Sequence, residues 1–238
     1  MVGGGGGNYS VTQPDPGSDG SDTTFAVPGP VVYTANRGGG GGSRLSSAGN
    51  PGGSGGGGGR QDGPGGGASS PEPNPGATEY GNDGGESGPQ YGAGGGGAGS
   101  VGESYPTYDP EGNVGGHGGI GMQAPATFRN PEALYGGSIP GSTDVAWGFA
   151  GGGGGGANAA QPAPRGGDLA LGGSWTGSGT SPLGPHYGAG DGAYDPNVGG
   201  DQQGASNTGG GGGGGNNSGP FAPGGAGGSG IVLIAYPA

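Results

Sequence analysis

Few side chains in this sequence can do chemistry, and their spacing assembles no familiar machinery. His117 lies between Gly116 and Gly118, and His186 between Pro185 and Tyr187. Neither stands near a nucleophile and a carboxylate, or in a set of zinc ligands, so both read as structural or surface histidines. Cysteine is absent, which removes disulfides, thiolate metal sites and cysteine nucleophiles. All five basic residues are arginine. The many Gly-x-Gly-x-x-Gly matches, which glycine runs generate by chance, therefore cannot extend into a P-loop, which needs a lysine. Gly81-Asn82-Asp83-Gly84-Gly85-Glu86 and Gly190-Asp191-Gly192-Ala193-Tyr194-Asp195 carry the residue types of calcium turns but not the tandem nonapeptide, and they read as ordinary turns. The expectation is a protein that is not an enzyme, with no cofactor and no metal.

Charge narrows the partners. Seventeen acidic residues against five basic give a net charge of −12. Binding nucleic acid requires cations that displace counterions from phosphate, and this chain repels phosphate instead. A polybasic membrane anchor is excluded on the same ground. No apolar run reaches the length of a transmembrane helix. Met1 and Val2 run straight into glycine, without the basic and apolar regions of a secretory leader. The acidic residues fall almost wholly between the glycine runs, where they keep a particle rich in bare peptide groups soluble.

The elements that must position any site are unusual. Of 238 residues, 79 are Gly and 23 are Pro, while only 26% are hydrophobic. That excludes an ordinary side-chain core. Collagen is excluded because runs such as 151–156 and 209–215 break the three-residue repeat. Two readings remain. One is a disordered low-complexity chain. The other is a lattice of polyproline-II-like glycine helices, three residues per turn, whose peptide groups point outward and bond to neighbouring helices. Ordering a backbone residue costs about 1–2 kcal/mol, and a hydrogen bond contributes about 0.5–1.5 kcal/mol net. An isolated glycine rod therefore fails, and only a lattice in which nearly every peptide group is paired could persist.

Glycine is also unevenly spread. Blocks at 3–7, 38–42, 55–59, 65–67, 94–97, 151–156 and 209–215 alternate with inserts of other composition. A flexible linker would mix Gly and Ser more uniformly. The inserts include 100–114, with Tyr105 and Tyr108, 122–149, with Tyr135, Trp147 and Phe149, and 168–198, with Trp175, Tyr187 and Tyr194. Residues 131–135 have the composition of a single helical turn. The only long apolar run, Ile231-Val232-Leu233-Ile234-Ala235-Tyr236, follows a glycine hinge and reads as a buried strand closing the fold over 230–237. Val31–Thr34 is its best partner within the chain, and a neighbouring subunit is the other option. The expected fold is irregular and nearly helix-free: packed polyglycine-II helices with long loops and a short C-terminal β-strand, in one domain over 1–238.

The glycine blocks with variable, aromatic-bearing inserts, the approach from Thr24-Phe25 to Thr34-Ala35 into 38–42, and the ending Gly227-Gly228-Ser229-Gly230-Ile231-Val232-Leu233-Ile234-Ala235-Tyr236-Pro237 together resemble the glycine-rich tips of bacteriophage tail fibres. The resemblance implies a polyglycine-II sandwich whose loops touch a host cell-surface receptor, protein or glycan, with the tail-fibre shaft as second partner and the virion as location. It departs from that family in showing no attachment region ahead of the block at 3–7.

Within that frame the aromatics divide. Tyr and Trp bring large rigid area with a polar handle, as contact residues need. Tyr105, Tyr108, Tyr135, Trp175, Tyr187 and Tyr194 are candidate receptor contacts. Trp147 and Phe149, directly before 151–156, are expected to cover the scaffold instead. Ile231, Val232, Leu233, Ile234 and Tyr236 form the candidate assembly strand, through which a homo-oligomer could form. The competing expectation is a structural subunit of an extracellular filament or a virion decoration protein, assembled through glycine-lattice or edge-strand contacts.

Overall fold

Without a Cβ, a glycine backbone can approach another to hydrogen-bond distance on every side, and that close approach organises this molecule. The computed structural model describes residues 17–26, 29, 32–43, 48–59, 63–67, 76–89, 91–105, 115–129, 136, 147–156, 187, 189–192, 203–214 and 225–234. Regular secondary structure is sparse among them. β1 (Thr23–Ala26) and β2 (Val32–Ala35) form an antiparallel hairpin with Phe25 opposite Tyr33 and Thr24 opposite Thr34, the β-branched and aromatic pairing that favours strands. β3 (Met122–Gln123) pairs with β4 (Gly148–Phe149) over two residues. A single 3-10 turn at Ala126–Phe128 follows Pro125. The fold is thus irregular and nearly helix-free, with two small antiparallel sheets. The expected helical turn at 131–135 lies outside the described residues.

The rest is a set of extended segments bonded laterally through their backbones. Partners recur every third residue, not every second as along a β ladder. The N–H of Gly39 donates to Ser54 and that of Gly42 to Gly57, at 2.8 and 2.9 Å. Those of Gly55 and Gly58 donate to Asn82 and Gly85, at 3.0 and 2.9 Å. Segment 92–98 carries the pattern furthest. Gly92, Gly95 and Ala98 donate to Gly156, Gly153 and Ala150; Ala93 and Gly96 donate to Gly58 and Gly55; Gly94 and Gly97 donate to Glu103 and Ser100. Seven consecutive N–H groups therefore divide among three different neighbours. Carbonyls of the same segment accept from Gly85, Gly116 and Gly119. The interior is accordingly made of peptide groups, and among the described residues its buried apolar side chains are few: Ala93, Ala98, Ala124 and Ala189, with Tyr91, Phe149 and Tyr187.

The register of these bonds fixes the direction of each segment. Residues 17–20 run against 38–43, since Gly17 bonds Gly41 and Gly20 bonds Gly38. Segments 92–98 and 150–156 are likewise antiparallel, whereas 150–156, 187–192 and 208–214 are mutually parallel, with Gly154 donating to Gly190 and Gly214 to Gly154. All segments lie side by side over about the same length, so the lattice has two ends. Inserts 21–37, 68–80 and 122–147 leave and return at one of them, the hairpin end. Inserts 44–47, 60–62, 89–90, 106–114 and 215–224 leave and return at the far end.

Two expectations change. Residues 231–234 join no strand ladder among the described residues, and Val232 and Ile234 are 48% and 51% exposed rather than buried. The run continues past the hairpin end, with Ile231 and Leu233 half-buried and Val232 and Ile234 turned outward. β2 is paired to β1 and not to this run. Residues 100–105, expected as part of an insert, are a lattice segment: Gly102 donates to Asp83 and Tyr105 to Glu86. A segment needs glycine only where its backbone meets another, so Val101 can point to solvent while its neighbour Gly102 is wedged against Gly94.

Candidate functional site

The aromatic candidates separate once the segments are in place. Tyr105 is half-buried at the far end. Its ring stacks on Tyr91, with centroids 5.7 Å apart and planes inclined by 14°, an offset geometry favourable for aromatic pairs. It also lies over Gly88, where an added Cβ would enter the ring. One side of Tyr105 therefore braces the scaffold, and its remaining surface stays accessible beside insert 106–114. Tyr187, expected as a contact, is 9% exposed. Its side chain presses on Gly121, its φ is +47°, and its carbonyl accepts from Gly151 at 3.3 Å. It belongs to the scaffold, because a tyrosine beside a glycine with no Cβ finds a slot in which to bury its ring. Tyr108, Tyr135, Trp175, Tyr194 and Tyr236 lie outside the described residues.

Phe149 is 9% exposed and lies opposite Met122 in the β3–β4 pair. Trp147 is half-buried with a left-handed φ of +69°, and its carbonyl accepts from Ala124 at 2.8 Å. Its indole Nε1 is buried with no hydrogen-bond partner.

Several polar side chains that the residue pattern did not single out pin the lattice. Asp19 Oδ1 accepts from the Gly40 N–H and from Asn50 Nδ2, both at 2.9 Å, and Oδ2 accepts from Arg37 Nε at 3.2 Å. Burial pushes its carboxyl up, but the Gly40, Asn50 and Arg37 donors outweigh that and hold it below its ordinary value. The Arg37 N–H donates to Asp22 Oδ1 at 2.9 Å. Ser87 Oγ bridges the two segments flanking insert 60–62, donating to the Gly59 carbonyl and accepting from the Gly63 N–H. Glu103 and His117 are each 8% exposed on adjacent segments. The Glu103 N–H donates to the His117 carbonyl at 2.8 Å, and Glu103 Oε2 accepts from the His117 N–H at 3.2 Å. Burial raises the Glu103 carboxyl, partly opposed by that N–H. Only these isolated polar insertions into glycine-rich sequence could have marked them beforehand, and an isolated Asp or Glu carries no such signal. The stretch 81–86, weighed as a calcium turn, is a lattice segment.

Among the described residues no helix is long and apolar enough to cross a membrane. The chain matches no family model, no curated protein and no solved structure.

Proposed function

We propose that this protein is a non-enzymatic receptor-binding adhesin of a phage tail-fibre tip, with polyglycine-II helices as its scaffold. The observation that carries the reading is the recurrence of inter-segment hydrogen bonds at every third residue, with successive N–H groups of 92–98 directed to three neighbours. A helix of three residues per turn presents its peptide groups in that order. Such a scaffold is rigid, so inserts anchored at its end lose less entropy on contact than loops on a soft support.

The contact surface in this reading is the far end. Tyr105 lies there, together with the described residues from which 44–47, 60–62, 106–114 and 215–224 depart, and Tyr108 remains a candidate from the sequence. Tyr135, Trp175 and Tyr194 remain candidates from the sequence. The partners are a bacterial cell-surface protein or glycan and the fibre shaft, and the location is the virion. The test replaces 106–114 and 215–224 with short Gly-Ser links and measures binding of the purified protein to a panel of bacterial cells and its competition with phage adsorption. Thermal unfolding should be unchanged and binding lost. Undiminished binding by the trimmed protein refutes the assignment.

A further inference from the structure

Among the described residues, the large apolar side chains left exposed are Phe25, Val32, Tyr80, Val101, Met122, Val232 and Ile234, each 38–53% accessible. Scattered singly over a surface they would need no explanation. They are not scattered. Phe25 and Val32 sit in the β1–β2 hairpin, whose flanking residues Gly20 and Gly38 bond each other at 3.0 Å at the hairpin end. Tyr80 precedes Gly81, which is wedged against Gly53 at that same end. Val101 is one residue past the turn in which Gly97 bonds Ser100. Met122 follows Gly121, where segment 115–121 finishes. Val232 and Ile234 follow segment 225–230 as it runs out past Asn207, whose N–H donates to Ser229 Oγ at 2.9 Å. Seven positions on five separate stretches of chain all emerge at the hairpin end.

We propose that this end is a self-association face, occupied by the hairpin end of a second copy of the chain in a closed, base-to-base dimer. Area supports this occupant. The seven side chains expose on the order of 500 Å² between them, the apolar share expected of one side of a standard interface of about 800 Å² per partner. Local charge permits it: Arg37, at that end, engages both Asp19 and Asp22. The accessibility of 231–234 alternates, intermediate at Ile231 and Leu233 and exposed at Val232 and Ile234. Val232 and Ile234 thus share one face of an extended run, and two such faces related by a two-fold axis complement each other. Among the described residues the large exposed apolar side chains gather at this end alone, so a closed pair forms and a filament does not. Both far ends then point outward.

Sedimentation equilibrium of the full chain from about 1 to 100 µM, at low and high salt, tests this. A dimer is expected that tightens as salt rises, because each subunit carries −12 and screening relieves repulsion between copies whose contact is apolar. The paired substitution Val232→Asp with Ile234→Asp should weaken dimerisation a hundredfold or so if the two are central to the face. Ala48→Asp, exposed at the far end, should leave it unchanged. Thermal unfolding of each variant at monomeric concentration checks that the fold is retained. A monomer throughout overturns the proposal, as does a dimer lost with Ala48→Asp but kept with the paired substitution, a dimer that weakens with salt, or a continuing series of larger species. The receptor-binding reading does not depend on the outcome, since it concerns the far end.

Discussion

Replacing Gly118 with alanine separates a peptide-bonded interior from any other explanation of this sequence. A Cβ at 118 would stand 1.7 Å from the Gly152 carbonyl oxygen and 2.4 Å from its carbon. Both are backbone atoms, so no rotamer change can relieve the clash, and one segment must retreat by about 1.5 Å to reach ordinary contact. Two bonds join the segments there, Gly152 N–H to Gly119 at 2.8 Å and Gly155 N–H to Gly116 at 2.9 Å. That retreat breaks both. Each lost bond costs about 0.5–1.5 kcal/mol, and leaving a buried group unpaired costs about 1–3 kcal/mol. Alanine restricts the unfolded chain and returns about 0.4–1 kcal/mol. The balance is a loss of about 2–5 kcal/mol, a fall in Tm on the order of 10 °C for a chain of this size. Gly95→Ala supplies the control. Its Cβ would meet nothing closer than 3.6 Å, at the Gly153 nitrogen and the Gly55 oxygen, so the change should be neutral or stabilise by about 0.4–1 kcal/mol. Calorimetric melting of the two variants beside the parent decides the matter. Equal effects at 118 and 95, whether both neutral or both severe, would refute the argument.

Asp19→Asn should destabilise by about 1–3 kcal/mol by removing the charged acceptor shared by Gly40, Asn50 and Arg37. Because the folded-state carboxyl titrates below its ordinary value of 3.8, the stability it adds is present above that pH and lost as pH falls through the depressed folded value. The melting curves of the parent and the Asp19→Asn variant should therefore converge in acid. Glu103 has the opposite sign. Its folded carboxyl titrates above the ordinary 4.5, the folded state binds more protons in that window, and stability falls as pH rises through it. Glu103→Gln, which can still accept the His117 N–H, should be more stable than the parent at pH 7 and equal to it near pH 4 in pH-dependent urea unfolding; a variant less stable at pH 7 would contradict the linkage. One glycine inserted between Gly95 and Gly96 should unfold the lattice locally and abolish amide-exchange protection across 92–98. Doubling insert 60–62 should cost only about 0.6 kcal/mol.

The glycine blocks were legible because their composition excludes an ordinary side-chain core, and 38–42, 55–59, 94–97 and 151–156 all bond laterally to other segments through their backbones. Segments 82–88 and 100–105 were not, since they hold Asn82, Asp83, Glu86, Val101 and Glu103 among their glycines. Side chains pointing out of a lattice are invisible to a count of glycine. Tyr187 was misread for a related reason. Its neighbours in sequence are loop formers, whereas its burial depends on Gly121, 66 positions away. The C-terminal run was read as a buried strand from local composition, but burial is set by what packs against a run, and Val232 and Ile234 are 48% and 51% exposed.

A three-neighbour hydrogen-bond pattern also accounts for why this fold tolerates its inserts. In a β-sheet a one-residue slip turns a strand over and exposes its apolar face. Here bonds recur every third residue, so the same slip hands each position to the preceding residue and carries side chains into places where only glycine fits. Gly94 would point where Gly95 now meets Gly153, and Ala93 would stand in the place of Gly94, where a Cβ comes within 1.8 Å of the His117 carbonyl oxygen. Length is therefore fixed within each segment and free between segments, provided that a link leaves and returns at the same end. Changes in the length of 106–114 or 215–224 should therefore cost little more than loop-closure entropy. No such freedom exists at Gly118, where the nearest atoms on either side are another segment's backbone.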